Sequence, residues 1–305
     1  MKLAVQTGGP AERLGLDQAY RLIAELGFDG VDANVDHLLS YGDILHKKLP
    51  QIFLGSDKDA VEAFRPWGEA ARKYDLDNYQ AHAPFPSLIY DPEDPDYNDA
   101  LVKMLRKTVL GCASIECYHL IIHPFFYGYE HMMTPEEEWE TNIDRYSRLI
   151  PVAKETGVMI CLENMFSGYK GKLYRACCND PATAARYVDT LNEIAGEECF
   201  GFCLDTGHAL LAGNDIFSFM TTLGSRIHAF HVHDNDGIRD QHIAPYTGIL
   251  DWNRFIEGLK AIRFDKTLSF ETFNIWNTVD QEVAPEMMRF ILSCGRMFMK
   301  RASVD

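Results

Sequence analysis

The stretch Val158–Met165, VMICLENM, decides how the rest of the chain is read. As a strand it puts Cys161 and Glu163 on one face and Ile160 and Leu162 on the other, because successive side chains of an extended backbone alternate. One face is bulky and apolar; the other is small and ends in an acid. The split recurs downstream, where Phe202 and Leu204 oppose Cys203 and Asp205, Phe230 and Val232 oppose His231 and His233, and Leu268 and Phe270 oppose Ser269 and Glu271. Bulky rows facing helices and polar rows facing inward, each ending at one rim, are the pattern of an α/β barrel. By the same parity His228 is expected to point outward among the helices.

Working outward, strand-like and helix-like segments alternate along all 305 residues. KLAVQ, VDANV, NYQAHAPF, HLIIHPF, VMICLENM, FGFCLDTGH, IHAFHVHD and KTLSFETF read as strands. Between or after them come amphipathic patterns such as LDQAYRLIAELGF, PEEEWETNIDRYSRLIPVAKET, DPATAARYVDTLNEI, DIFSFMTTLG, DWNRFIEGLKAI and APEMMRFILSCGRMFMKR, with the period expected of helices. No Ser/Pro-rich linker or low-complexity tract divides these units. The expectation is therefore a single (β/α)8 TIM-barrel domain over residues 1–305. An open doubly wound sheet is the alternative, disfavoured because no glycine-rich nucleotide fingerprint follows the first strand.

Composition narrows the function classes. The apolar fraction of 47% is ordinary for a globular chain. The formal charge of −16, from 45 acids and 29 bases, repels a nucleic-acid backbone and makes such a partner unexpected. Cys112, Cys117, Cys161, Cys177, Cys178, Cys199, Cys203 and Cys294 form no CxxC pair and read as buried reduced thiols. The start, MKLAVQTGG, is too short in apolar residues for a signal peptide, and no stretch is long and apolar enough to span a membrane. The expectation is a cytoplasmic protein with no membrane partner; a homo-oligomer is compatible with this reading.

The polar strand ends are evenly spaced. His82 and His123 are 41 residues apart, His123 and Glu163 40, Glu163 and Asp205 42, and His231 and Glu271 40, with only Asp205 to His231 short at 26. One β/α unit per interval puts them at the tops of strands three to eight, the rim that carries active sites in barrel enzymes. A single acid at a strand end is usually solvated or caps a helix. Six successive inward acids and histidines are different, since buried unpaired carboxylates are costly and a shared divalent cation would neutralise them.

At these residues the chain resembles the xylose isomerase-like barrel superfamily, which includes sugar phosphate isomerases and epimerases, tagatose 3-epimerase and its relatives, and the endonuclease IV enzymes. The resemblance rests on LENMFSG, CLDTGHALLAG, HVHDNDG followed by DQHIAPYTGILDW, and LSFETF, and it spans nearly the whole chain. It implies a metal held by Glu163, Asp205, His231 and Glu271, with Glu163 and Glu271 as the catalytic acid/base pair. His231 matches the ligand position of the relatives. His233, one pleat further out, is then assigned to substrate contact or to orienting the site. Three carboxylates and one imidazole suit one divalent ion such as Mn2+, Mg2+, Co2+ or Zn2+.

What the resemblance implies for chemistry is proton transfer on a sugar or sugar phosphate. The cation lowers the cost of an enediolate, and a carboxylate removes the proton that is then returned to the same or the neighbouring carbon. His208 matches the family histidine that contacts substrate oxygen; His82 and His123 would line the pocket. Arg239 is a candidate for a distal hydroxyl or phosphate, although the epimerase pattern places its arginine nearer the ligand histidine. Lys170, Lys172 and Arg175, in a connection longer than a bare βα loop needs, could reach an anionic substrate. His82, His123, Asp240 and His242 also match positions that hold two further zinc ions in endonuclease IV enzymes, so a multi-zinc phosphodiesterase is an alternative, as are a lyase or dehydratase and a non-catalytic sugar-binding barrel.

Overall fold

Eight strands close into a parallel barrel in the computed structural model, which describes residues 1–35, 38–39, 42–43, 46–84, 91, 93–126, 133–169 and 172–303. They are β1 (Lys2–Gln6), β2 (Gly30–Asn34), β3 (Asp77–His82), β4 (His119–Ile122), β5 (Met159–Glu163), β8 (Phe200–Asp205), β9 (Ile227–Val232) and β10 (Thr267–Phe270). Each expected strand segment is present, and β1 closes on β10 through Lys2↔Thr267 to Val5↔Phe270. The intervening β6 (Phe166–Tyr169) and β7 (Lys172–Arg175) form an antiparallel hairpin outside the barrel. That hairpin is what lengthens the connection after Glu163.

The alternation seen in VMICLENM sorts the interior from the exterior. Ile121, Cys161, Cys203 and Ala229 form a small cluster of their own, the filling of the barrel. Ile160, Leu162, Phe202, Leu204, Phe230, Val232, Leu268 and Phe270 belong to the larger core between strands and helices. Helix starts follow local chemistry. Thr134 and Glu137 make a reciprocal capping box at Pro135–Ser147, and Asp180, Asp215 and Asp251 each accept a backbone N–H of the helix they precede, satisfying donors that no helical carbonyl reaches. Among the described residues no helix is long and apolar enough to cross a membrane.

His228 departs from its expected outward position. Phe202 pairs with Ile227 but Cys203 pairs with Ala229, so β9 carries one extra residue there and the parity flips locally. His228 instead packs at the N-terminal end of the barrel, its ring 6.0 Å from that of His119 and its Nε2 3.3 Å from Glu198. Burial, with Lys266 nearby, pushes its pKa down to about 4.

Candidate active site

All six polar strand ends arrive at the opposite, C-terminal rim. One donor atom each from Glu163, Asp205, His231 and Glu271 lies within 4.8 Å of the others. Glu163 is central: its Oε1 is 2.9 Å from His231 Nδ1, and its Oε2 is 3.1 Å from His123 Nε2 and 3.6 Å from His82 Nε2. Glu271 Oε2 is 3.5 Å from His231 Nδ1, and its Oε1 accepts from Gln6 Nε2 at 2.6 Å. Asp205 ends β8 and also caps the short helix Thr206–Leu211, its Oδ1 accepting from His208 N at 2.6 Å. Asp205 Oδ2 faces His233 Nε2 at 2.9 Å.

Local locks fix these side chains. Asn164 clamps the backbone of Asp205 in both directions, each bond 2.9 Å. Thr206 Oγ1 donates to the carbonyl of His233 and accepts its N–H, at 2.7 and 3.0 Å. Gly207 is needed because any Cβ there would collide with the His233 imidazole. Asp234, in the dense run HVHDNDG, spends both oxygens on the protein: Oδ1 accepts from Asn235 N and Leu250 N at 2.9 and 3.0 Å, and Oδ2 from the Trp252 indole at 3.0 Å. Asp236 is likewise structural, binding the backbone of Ile238 and Arg239.

A second cluster sits beside the first. His208, His233, Asp240 and His242 also bring donor atoms within 4.8 Å of one another, with His242 Nε2 2.9 Å and His208 Nε2 3.5 Å from Asp240 Oδ2. The imidazole of His233 stacks on that of His242, centroids 4.0 Å apart. His233 is fully covered, does not line the cavity, and turns its Nε2 to Asp205. His82, His123, Glu163, His208, Asp240, His242 and Glu271 do reach the wall of a cavity of about 1370 Å³. Phe166, 5.1 Å from the His208 ring, and Phe273, 4.4 Å from the His242 ring, form its apolar sides.

Arg239 is not brought in. Its exposed side chain turns to Asp236, with Nη2 2.7 Å from Oδ2, and it does not line the cavity. Arg175 does line it, while Nε donates to Ala212 O at 3.2 Å. Lys170 and the side chain of Lys172 lie outside the described residues. Two residues that sequence reasoning missed contribute from the first strands: Gln6, and Asp32, whose Oδ2 is 3.2 Å from His231 Nε2. KLAVQ ends in Gln6, as the other strands end in polar residues, whereas Asp32 lies inside VDANV rather than at its end.

The electrostatics are those of buried acids and imidazoles pressed together. Burial raises Glu163, but His231 and His123 outweigh it and hold the carboxyl well below its ordinary range. Glu271 goes the other way: burial, with Glu163 and Asp205 adding to it, lifts its pKa to about 7 against the pull of His231 and His242. Burial pushes His123 down to about 4. These groups fit a divalent cation. His82 Nδ1 pairs with Ala83 O at 2.6 Å, which makes Nε2 an acceptor, and Glu163 Oε2 is buried with no well-oriented hydrogen-bond donor. Carboxylate oxygens and imidazole nitrogens crowded at one buried point are what a cation relieves.

Comparison with known proteins agrees with the barrel. The family model described as xylose isomerase-like TIM barrel matches residues 20–294. An uncharacterized protein of Methanocaldococcus jannaschii is 26% identical over 215 residues, 69% of this chain and 70% of its own. Among solved structures, a D-tagatose 3-epimerase-like protein superposes with a TM-score of 0.68 at 20% identity, covering 96% of this chain and 99% of its own. The IolI protein with a binding zinc atom superposes with a TM-score of 0.70 at 20% identity, covering 96% of both. At these identities the structural likeness carries the fold.

Proposed function

Because the chain belongs to the xylose isomerase-like TIM-barrel family, we propose that it is a divalent-metal-dependent isomerase or epimerase acting on a carbohydrate. The observation that carries this reading is the convergence of Glu163, Asp205, His231 and Glu271 on one buried point beside the cavity that Glu163 and Glu271 line. A cation held there would act as a Lewis acid on adjacent sugar oxygens and make the neighbouring C–H bond acidic. Solved proteins of the same fold include a D-tagatose 3-epimerase-like protein and a zinc-bound one, which supports sugar as the substrate class. The eight free, buried cysteines fit a reducing compartment, the cytoplasm.

The chain's own residues divide the work. Glu163 and Glu271 flank His231 from strands on either side of β9. Glu163, beside His231 and His123, and Glu271, oriented by Gln6, are the pair that removes and returns the proton. His208 presents Nε2 near Asp240 toward the cavity and binds a substrate hydroxyl. Phe166 and Phe273 keep bulk water off the reacting carbon.

A second reading rests on a separate observation. His82 and His123 crowd Glu163 Oε2, and His208, Asp240 and His242 form their own donor cluster, which suits two further ions and a phosphodiesterase. The charge of −16 weighs against a nucleic-acid substrate. Metal analysis of the purified protein, with turnover of ketoses in heavy water, separates the two. One ion and deuterium at the reacting carbon are expected. In Glu163→Gln and Glu271→Gln the rate should fall ~10²–10⁴-fold for loss of a general base. Undiminished turnover by both variants would refute the two-carboxylate mechanism, and three zinc ions with cleavage of abasic DNA would establish the second reading.

A further inference from the structure

We propose that Asp32 is a positioning residue for this centre: its carboxylate accepts from the Nε2–H of His231, keeps the proton on that nitrogen, and so commits Nδ1, the nitrogen among the other carboxylates, to the cation. The inference rests on the metal reading above. It begins from the two edges of one ring. His231 Nδ1 lies 2.9 Å from Glu163 Oε1 and 3.5 Å from Glu271 Oε2, whereas Nε2 lies 3.2 Å from Asp32 Oδ2. A neutral imidazole carries one proton, and the nitrogen that holds it cannot coordinate. A carboxylate beneath Nε2 decides the matter, and carboxylate partners of ligating histidines raise their basicity as well.

Asp32 is built into the barrel for this task. It is fully buried on β2, and its Oδ2 accepts from Gln80 Nε2 at 2.7 Å and Ser269 Oγ at 3.2 Å. Strands β2, β3, β9 and β10 thus meet in one network under the site. If Asp32 served only Gln80 and Ser269, a neutral asparagine oxygen would do the same with far less desolvation cost. Its other oxygen, Oδ1, is buried with no hydrogen-bond partner, so the carboxylate is only partly satisfied and a positive charge across the His231 ring would offset it. The His231 contact is longer than the ~2.7–2.9 Å of a well-formed charge-assisted bond, and Nε2 does not meet hydrogen-bond angles. The pair has room to tighten once Nδ1 is engaged.

The test uses Zn2+ as the probe and two readouts independent of turnover. Competition with a chromophoric chelator should show zinc affinity falling ~10–100-fold in Asp32→Asn, the usual cost of losing an outer-shell partner, while the thermal melt of the metal-free variant stays at or above that of the parent. In the zinc-loaded wild type, 15N-histidine spectra should show His231, assigned with His231→Asn, protonated on Nε2 and coordinated through Nδ1. This second readout decides the matter alone if Asp32→Asn does not fold. Unchanged affinity in Asp32→Asn, or zinc on Nε2, would overturn the proposal while leaving the metal reading intact. A wild type that binds no zinc would sink both.

Discussion

Replacing Asp234 by alanine is expected to destabilise the protein by about 3–5 kcal/mol while leaving Glu163, Asp205, His231 and Glu271 able to bind a divalent ion. The magnitude follows from three buried donors that lose their acceptor: Asn235 N, Leu250 N and the Trp252 indole. Each orphaned donor costs about 1–3 kcal/mol, and removing a buried carboxylate returns part of the sum. Asp234→Asn should cost less, about 2–3 kcal/mol. Its amide oxygen can still serve the two backbone donors, but its NH2 would meet the indole N–H donor to donor. Urea unfolding followed by tryptophan fluorescence suits the test, because Trp252 stacks on Phe298 with centroids 5.1 Å apart. Asp234 also bridges Ile243 through paired backbone bonds of 2.9 and 3.2 Å. The loop bearing Asp240 and His242 should therefore loosen before the central four do. An alanine variant within about 0.5 kcal/mol of the parent, the range of inconsequential surface changes, would refute the reasoning. So would loss of the central ion with stability intact, which would make Asp234 a ligand.

Two further outcomes probe other parts of the molecule. Gly207→Ala should drive the His233 ring off Asp205, costing about 1–3 kcal/mol from overpacking and weakening divalent-ion binding; an unchanged melt and unchanged affinity would show that the ring has room to spare. His228, with a folded pKa of about 4 against 6.5 for an ordinary histidine, is kept neutral in the folded chain but protonates in the unfolded one. Its contribution is present above pH 6.5 and is lost as the pH falls toward 4, by about 1–2 kcal/mol after allowance for partial exposure. His228→Gln should flatten that part of the urea-midpoint profile between pH 7 and 5, and an identical slope in both proteins would refute the assignment.

The barrel and its rim were legible because both depend on regular quantities: a side-chain period of two and one β/α unit per interval. Glu163, Asp205, His231 and Glu271 could be placed from those alone. His228 could not, since one inserted residue in β9 reverses parity without leaving a mark in the local composition. Arg239 looked available from its position, yet Asp236 three residues earlier takes its guanidinium, an ordinary pairing at that spacing. Asp32 was overlooked because a lone acid on a short strand is usually uninformative; its meaning comes from Gln80, Ser269 and His231, which lie 48, 237 and 199 residues away.

The motif strings themselves have a different meaning once the contacts are known. In LENM the asparagine clamps Asp205, in LDTGH the threonine and glycine seat His233, and in HDNDG with its distant DW the first aspartate ties the loop to Trp252. The residues around the donors are thus mostly their supports, and each support acts across strands. A donor set is tolerant of small errors in composition but not in position, since a ligand displaced by about an ångström can forfeit most of its effect. It follows that a chain keeping Glu163, Asp205, His231 and Glu271 but losing Asn164, Thr206 and Gly207 would retain the residue types of the centre without its geometry. Such a triple variant should bind a divalent ion more weakly than any single support substitution, and near-parental affinity would show that the strands alone fix the site.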